Sequence, residues 1–244
     1  PHNQYHVKAG ARGLSWAGSQ PESMSDYRAK IDSVKQPYVS HETGQWCAFP
    51  NFSEIRKYTG VNKAKNFEIF RDILNDNHMG SMGHDFMMAS GKLQAICYKH
   101  EIEKTLRTPD YAGFQLLALN DYSGQGTALV GLLDVFFEEK GYINADEFRR
   151  FCSPTVPLAR IPKFVYTNDE TFHADIEVSH FGAAPLQGAK TVYSIKDEYG
   201  KVYAHGTVGT QNLPVGNLCP LGSVDMKLSG ITRPQKLNME IRIE

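Results

Sequence analysis

The sequence lacks an excess of charge of either sign. Its 26 lysine and arginine residues nearly balance 27 aspartate and glutamate residues, which leaves a formal charge of −1 over 244 residues. Nucleic acids and anionic membrane surfaces attract proteins through a strongly positive field. The composition therefore disfavours both as partners, while 41% hydrophobic and 22% charged residues indicate a globular protein rather than a disordered tail.

Long apolar segments are also lacking. No stretch approaches the roughly 20 apolar residues of a membrane-spanning helix, and the first residues do not show the basic and then apolar pattern of a signal peptide. We therefore expect no membrane span. The chain begins with Pro1 rather than methionine, which is compatible with a missing leader or with much more sequence upstream.

Motifs of several cofactor and catalytic classes are missing. The four cysteines are far apart and form no C-x-x-C pair, which argues against a zinc ribbon. The pairs His2 with His6 and His78 with His84 are too sparse for a metal site. There is no G-x-S-x-G elbow of a serine hydrolase and no complete dinucleotide or P-loop motif. We predict no metal ion and no other cofactor.

The first part of the chain combines strand and helix patterns. Residues 37–42 (PYVSHE) and 113–120 (GFQLLALN) are β-rich or apolar runs that end in polar residues, as buried parallel strands do. Between them, apolar residues recur every three to four positions over about 63–74 and 85–106, which predicts two helices. The first 24 residues show neither period and predict an irregular loop. This order predicts α/β structure.

The helix predicted over residues 85–106 carries a dense cluster of charges. The simplest interpretation is a solvated helix face, made by Lys99, His100, Glu101, Glu103, Lys104 and Arg107. The residues that recur at spacings of three and four along this helix are Phe86, Leu93, Ile96, Cys97 and His100. Two capping boxes predict further short helices, at Asn51 with Glu54 and at Asn144 with Glu147.

Beyond Ser153-Pro154 the pattern becomes all-β. Apolar and polar residues alternate in six runs separated by glycine or proline turns, at 164–166, 172–179, 191–197, 202–207, 223–228 and 237–243. These runs predict a β-sandwich of about 90 residues, the size of an immunoglobulin-like module.

Candidate site residues follow the two predicted parallel strands, since ligands in α/β folds bind at the carboxyl ends of the strands. One end carries His41-Glu-Thr-Gly-Gln-Trp46 and the other carries Asn120-Asp-Tyr122. Carboxylates and amides hydrogen-bond sugar hydroxyls while aromatic rings stack on the sugar, so a carbohydrate suits this set. The alternative, which the spacing leaves equally open, is that Glu42 caps the following loop and Trp46 belongs to the core.

These residues also carry a family resemblance. Pro37-Tyr-Val-Ser-His-Glu-Thr-Gly-Gln-Trp46, then Gly113-Phe-Gln-Leu-Leu-Ala-Leu-Asn-Asp-Tyr122 and Gly131-Leu-Leu-Asp134, resemble the end of the catalytic domain of glycoside hydrolase family 2, especially its β-galactosidase-like members. The resemblance implies a partial (β/α)8 TIM barrel over residues 1–153, with strand seven at 37–42 and strand eight at 113–120. It also implies an immunoglobulin-like β-sandwich over residues 154–244.

The resemblance assigns a role to each candidate residue. Glu42 matches the nucleophile of this retaining family, which cleaves terminal β-linked sugars through a covalent glycosyl-enzyme. It implies that His41 and Gln45 orient Glu42, that Trp46 forms the floor or wall of the sugar site, and that Asn120 and Asp121 border the pocket. The carbohydrate substrate would then be the partner, and the family resemblance suggests a periplasmic or secreted protein.

The second carboxylic acid of a retaining mechanism is missing from the sequence. The family supplies this acid from an Asn-Glu pair on strand four, and the chain has no Asn-Glu dipeptide. Two barrel strands also cannot close a sheet. We therefore interpret the chain as a fragment of a longer enzyme, inactive alone, whose partners include the remainder of its own chain and, among open possibilities, further copies of itself.

Two alternatives to the enzyme fragment stay open. The first is a non-catalytic carbohydrate-binding or interaction module that retains a barrel remnant. It predicts that Glu42 and Asp121 do not share a cleft. The second is a structural β-sandwich linker, which predicts that a protease removes residues 1 to about 150 and leaves the remainder intact.

Overall fold

The computed structural model describes residues 5–7, 18–122, 126 and 128–244. The helices are α1 (Arg28–Ile31), α2 (Lys65–Asp76), α3 (Gly83–Leu106) and α4 (Ala145–Arg149), with 3₁₀ helices at Phe52–Lys57 and Gly80–Met82. The strands are β1 (Tyr5–Val7), β2 (Tyr38–Thr43), β3 (Tyr111–Leu116), β4 (Thr155–Arg160), β5 (Thr171–His180), β6 (Leu186–Asp197), β7 (Val202–Leu213), β8 (Gly216–Lys227) and β9 (Leu237–Ile243).

The described residues form two compact units. The first comprises the described parts of Pro1–Gly13, Val34–Ile102 and Ala112–Arg150, and the second those of Leu14–Ser33, Glu103–Tyr111 and Phe151–Glu244. The division into domains at 1–153 and 154–244 stays a prediction. Each unit is described by itself below.

The first unit contains a three-stranded sheet in the order β1-β2-β3. β1 and β2 are parallel, with Tyr5 opposite Tyr38. Contacts of His41 with Gln115 and of Thr43 with Leu117 share an offset of 74 residues (115 − 41 and 117 − 43), which is the signature of a parallel pair. The strand predicted over 37–42 is thus confirmed as β2. The strand predicted over 113–120 is confirmed in part, because β3 ends at Leu116. The carboxyl ends of β2 and β3 lie side by side. Three strands are not a barrel, so the partial barrel stays a prediction.

The prediction of an irregular loop over the first 24 residues was wrong at one point. β1 occupies Tyr5–Val7 in the parallel sheet. Three residues are too few to show the two-residue alternation of a strand, and their partner lies more than 30 positions away. Only the tertiary pairing defines this strand.

The helix α3 confirms the predicted long helix. The prediction of a solvated charged face was wrong, because four of its six residues are buried: His100, Glu101, Lys104 and Arg107. Leu93 and Ile96, which recur at the spacing of a helix face, are 56% and 55% exposed, whereas Gln94 is 1% exposed. Buried polar side chains are stable where they find hydrogen-bond partners, and periodicity does not reveal those partners.

One capping box is confirmed and the other is half formed. Asn144 Oδ1 accepts from Glu147 N at 2.9 Å, while Asn144 N donates to Glu147 Oε2 at 3.0 Å. Asn51 Oδ1 accepts from Ser53 N at 3.1 Å and starts the 3₁₀ helix Phe52–Lys57. Glu54 does not complete that box, because its side chain is buried and only 1% of the residue is exposed.

The second unit contains the predicted β-sandwich. Two antiparallel sheets, β4-β5-β8 and β7-β6-β9, enclose one apolar core. Alternate residues of β5 supply its centre, since Ala174, Ile176 and Val178 are at most 1% exposed. Burial of the isoleucine and valine side chains stabilises each by roughly 1.5–3 kcal/mol.

The strand predictions failed at the entrance to the sandwich. Residues 164–166 form no strand, and a turn closed by hydrogen bonds between Thr167 and Glu170 follows them. β4 was not predicted because it contains Pro157, which is unfavourable in central strands. β4 lies at the edge of its sheet, where a proline is tolerated.

Candidate functional site

The candidate site lies at the adjacent carboxyl ends of β2 and β3. The His41 ring bridges them, with Nδ1 3.0 Å from Gln115 Oε1 on β3. Its other nitrogen, Nε2, lies 3.8 Å from Glu42 Oε1. A single imidazole therefore contacts the neighbouring strand on one side and the candidate carboxylate on the other.

Glu42 combines an unusual backbone with an accessible carboxylate. Its φ of +57° lies in the left-handed region, which costs a residue other than glycine about 1–3 kcal/mol and persists only where surrounding contacts impose it. The side chain is 17% exposed. Gln45 Nε2 donates to Glu42 Oε2 at 3.1 Å. The structure thus brings His41, Glu42 and Gln45 together, with Gln115 as a member that the sequence did not reveal.

Gly44 makes the turn after β2 possible. Its φ is +83°, and a Cβ atom at this position would lie 1.8 Å from Cε1 of Tyr98. The backbone therefore lies against the ring of Tyr98, which is fully buried and donates its O–H to Val130 O at 2.7 Å. Only glycine fits this conformation and this close approach.

Trp46 is held through both its side chain and its backbone. The indole Nε1 donates to Glu101 Oε1 at 3.0 Å, and the carbonyl oxygen accepts from Gln94 Nε2 at 2.6 Å. Trp46 is half-buried. The orientation of its ring is therefore set by polar contacts with α3.

Glu101 and Gln94 belong to the site although the sequence analysis missed them. Glu101 was interpreted as part of a solvated face, and Gln94 was not singled out. A signal was present, because Gln94, Tyr98 and Glu101 are spaced by four and then three residues and so share one side of a helix. The spacing of these three residues does not indicate which loop they contact.

Asn120 and Asp121, which follow the end of β3 by four and five residues, have a different environment. Asn120 Nδ2 donates to the carbonyl oxygen of Asp121 at 2.8 Å. The Asp121 carboxylate is buried, accepts from Gly131 N at 2.8 Å and forms an ion pair with Lys140. Burial raises the pKa of Asp121 above its ordinary value, although Lys140 opposes the shift. Asp121 is thus enclosed by protein groups, and its predicted role beside a sugar stays a prediction.

A second set of charged side chains, some of them buried, lies in the same unit. Lys57 Nζ donates to Asp134 Oδ2 at 2.5 Å and to Glu138 Oε2 at 2.7 Å. Glu54 Oε2 is buried and has no hydrogen-bond partner among the residues that the structure describes. Burial, and then repulsion from Asp134, raises the pKa of Glu54 to about 7.

The four cysteines are free thiols with different exposure. Cys47, next to Trp46, is exposed, whereas Cys97 on α3 is buried. Burial raises the pKa of Cys97 to about 11. Within the described ranges, no three histidine, cysteine, aspartate or glutamate side chains are placed to share a metal ion. Helices both long and apolar enough to cross a membrane are likewise absent from the described part of the chain.

Part of the second unit matches a known family model. Residues 170–244 match the model of a domain of unknown function, DUF8488. This range covers five of the six sandwich strands, from β5 to β9, and none of the candidate site residues. No curated protein matches the chain.

Solved structures similar to this chain include three of the exo-chitosanase CsxA from Amycolatopsis orientalis. Two are complexes of variants with PNP-β-D-glucosamine, with TM-scores of 0.38 and 0.36, identities of 15% and 14%, and coverage of 65% of this chain and 19% of theirs. The third has a TM-score of 0.36 and 13% identity and covers 72% of this chain and 21% of its own. The chain thus spans about a fifth of the length of these enzymes. The assignment of a site therefore depends on the residues of the chain itself.

Proposed function

We propose that His41, Glu42 and Gln45 form part of the sugar site of a retaining glycosidase of family 2 type, with Glu42 as the nucleophile. The observation that carries this proposal is the geometry of Glu42. Its carboxylate lies at the carboxyl end of a parallel strand, in a left-handed backbone conformation, partly exposed, and hydrogen-bonded by Gln45. Such outliers cluster at functional sites.

The proposed chemistry assigns one step to this chain. The Glu42 carboxylate attacks the anomeric carbon, a carbon–oxygen bond forms, and the bond to the leaving-group oxygen breaks; water later hydrolyses the ester. Gln45 holds one carboxylate oxygen in place and His41 lies beside the other. The Trp46 ring, fixed by its hydrogen bond, offers a stacking surface for the sugar.

Protonation of the leaving group requires a second carboxylic acid, about 5–5.5 Å from the first in retaining enzymes. We place this acid on a part of the parent enzyme outside the 244 residues, since the Asn-Glu pair that supplies it in the family has no counterpart here. In the same proposal, residues 1–153 are the end of a TIM barrel and residues 154–244 are an immunoglobulin-like domain. The adjacent parallel strands β2 and β3 support the assignment of residues 37–42 and 113–120 to barrel strands seven and eight.

Covalent trapping tests the proposal. The full-length gene product is incubated with 2-deoxy-2-fluoro-β-glycosyl fluorides of several sugar configurations. Attack at the anomeric carbon expels fluoride, a leaving group that needs no acid, and leaves a fluorosugar ester. We expect the mass increment on the peptide that contains Glu42, with loss of labelling in Glu42→Gln and normal labelling in Asp72→Asn, an exposed carboxylate on α2. A label on another residue, or turnover in Glu42→Gln, contradicts the assignment.

One observation favours a second candidate, a non-catalytic carbohydrate-binding module. Asp121, the carboxylate expected to border the pocket, is enclosed by Gly131 and Lys140. A site with a single accessible carboxylate binds hydroxyls without the pair that hydrolysis needs. Calorimetric titration with the corresponding methyl glycosides, read together with the labelling test, distinguishes the two candidates. The module predicts that the glycosides bind and that no covalent label forms.

A further inference from the structure

Glu101 contacts both ends of the loop that carries Gln45. Its residue is 3% exposed. One carboxylate oxygen, Oε2, accepts from Gly44 N at 3.0 Å, and the other, Oε1, accepts from Trp46 Nε1 at 3.0 Å. Both oxygens are thus engaged, by donors one residue before and one residue after Gln45.

Glu101 is one of several side chains on α3 that contact this loop. Gln94, Tyr98 and Glu101 lie on one side of α3, where residues three and four positions apart are neighbours. Tyr98 fills the space beside Gly44, and Gln94 binds the carbonyl of Trp46. The loop from Gly44 to Trp46 is therefore held by side chains of α3.

The position of Glu42 depends on this loop. Gln45 is exposed, and its side chain donates to Glu42 Oε2 at 3.1 Å. Because the residues on either side of Gln45 are bound to Glu101, its backbone has little freedom. The geometry points to Glu101 as a positioning residue, which acts on Glu42 through Gln45 and fixes the plane of the Trp46 ring. This inference rests on the proposed function for its catalytic consequence.

Glutamine cannot replace Glu101 without the loss of a hydrogen bond to the loop. A carboxylate accepts at both oxygens, whereas an amide accepts at one and donates from its nitrogen. In Glu101→Gln the new NH₂ group faces either Gly44 N or Trp46 Nε1, so that two donors meet. One of the two contacts is therefore lost, and with it the charge that strengthens both hydrogen bonds.

The first test reads Trp46 directly and needs no sugar. The chain has two tryptophans, so a Trp16→Phe background leaves Trp46 as the sole reporter. In that protein we expect the indole N–H resonance to exchange slowly with solvent. In Glu101→Gln we expect faster exchange and stronger acrylamide quenching, with no change in Asp85→Asn, an exposed carboxylate in the first turn of α3. Fast exchange in the protein with Glu101 intact overturns the inference, even if the variant does not fold.

The second test reads Glu42 in the full-length gene product. The rate of trapping by the fluoroglycosyl fluoride is measured as a function of reagent concentration. We expect Glu101→Gln to lower the maximal rate by about 10²-fold, the scale of a small misplacement of reacting groups, with little change in the half-saturating concentration. A maximal rate equal to that of the unmodified protein overturns the positioning role. If the unmodified protein takes no label, the proposed function fails, while the Trp46 measurement still decides whether Glu101 fixes the loop.

Discussion

Asp121 and Lys140 form an ion pair inside the first unit, with side chains that are 1% and 3% exposed. Lys140 Nζ also donates to Gly131 O at 2.7 Å, and Gly131 N donates to Asp121. Gly131 has no room for a side chain, because a Cβ atom would lie 2.2 Å from Asp121 N. The pair therefore joins the segment after β3 to the segment around residue 140.

Removal of one partner should leave an uncompensated buried charge. We expect Lys140→Met to lower the free energy of unfolding by about 3–5 kcal/mol. The control Lys65→Met removes a lysine whose side chain is 73% exposed and should cost less than about 1 kcal/mol. Urea unfolding followed by circular dichroism compares the two. Equal losses would mean that the buried pair does not stabilise the fold.

Glu54 should make stability depend on pH. Its folded pKa is raised from 4.5 to about 7 by burial and by Asp134 and Asp121, against the opposing effect of Lys140 and Lys57. The folded state thus binds more protons than the unfolded state between these values, so stability falls as pH rises. The free energy of unfolding is therefore higher below pH 4.5 than above about pH 7. The difference is on the order of 3 kcal/mol.

The variant Glu54→Gln tests this dependence, since glutamine stays neutral. We expect it to flatten the fall in stability between pH 4.5 and 7 and to be more stable than the unmodified protein above that range. Glu138→Gln, whose carboxylate is 63% exposed, should leave the fall in place. Chemical unfolding at a series of pH values gives both profiles, and an unchanged slope in Glu54→Gln would assign the dependence to another group.

Gly44→Ala should disrupt the turn after β2. The left-handed backbone costs an alanine about 1–2 kcal/mol, and the collision of its Cβ with Tyr98 adds a cost of about 1–3 kcal/mol. The matched control is Gly60→Ala, because Gly60 has no atom within 4 Å of the added Cβ. Thermal unfolding should show a lower midpoint for the first variant alone. Similar midpoints would mean that the loop has room to rearrange.

The sandwich core should respond to truncation independently of the candidate site. Ile176 is 1% exposed at the centre of the core, so Ile176→Ala should cost about 2–5 kcal/mol. Val165 is 75% exposed, and Val165→Ala should be nearly neutral. Denaturant unfolding measures both, and a small effect of Ile176→Ala would show that the two sheets close over the cavity.

Local patterns predicted the elements more reliably than the faces they bury. β2, α3 and the capping box at Asn144 follow from adjacent residues, and the structure confirms them. The buried face of α3 does not follow from such patterns. Glu101 is buried against Gly44 and Trp46, which lie 57 and 55 residues away in the sequence. No spacing within the helix specifies these partners.

In the candidate site, too, contacts between sequence neighbours were predictable and contacts between distant residues were not. His41, Glu42 and Gln45 are neighbours in sequence, so a motif is sufficient to group them, and the structure places them in contact. The environment of Asp121 depends on Lys140, 19 positions later (140 − 121), and no local pattern pairs these two residues. The strained backbone at Glu42 is likewise imposed by tertiary contacts rather than by residue type.

The exposed thiol of Cys47 gives the molecule an attachment point one residue beyond Trp46. Cys97 is buried and its pKa is raised to about 11, so a maleimide reagent at neutral pH should distinguish the two thiols. Cys152 and Cys219 are also free and partly exposed, so both are first replaced by serine. A dye or spin label at Cys47 would then sit directly after the loop that Glu101 holds. Occupancy of the strand ends by a sugar would become visible as a change in the environment of that label, in a chain with no engineered cysteine.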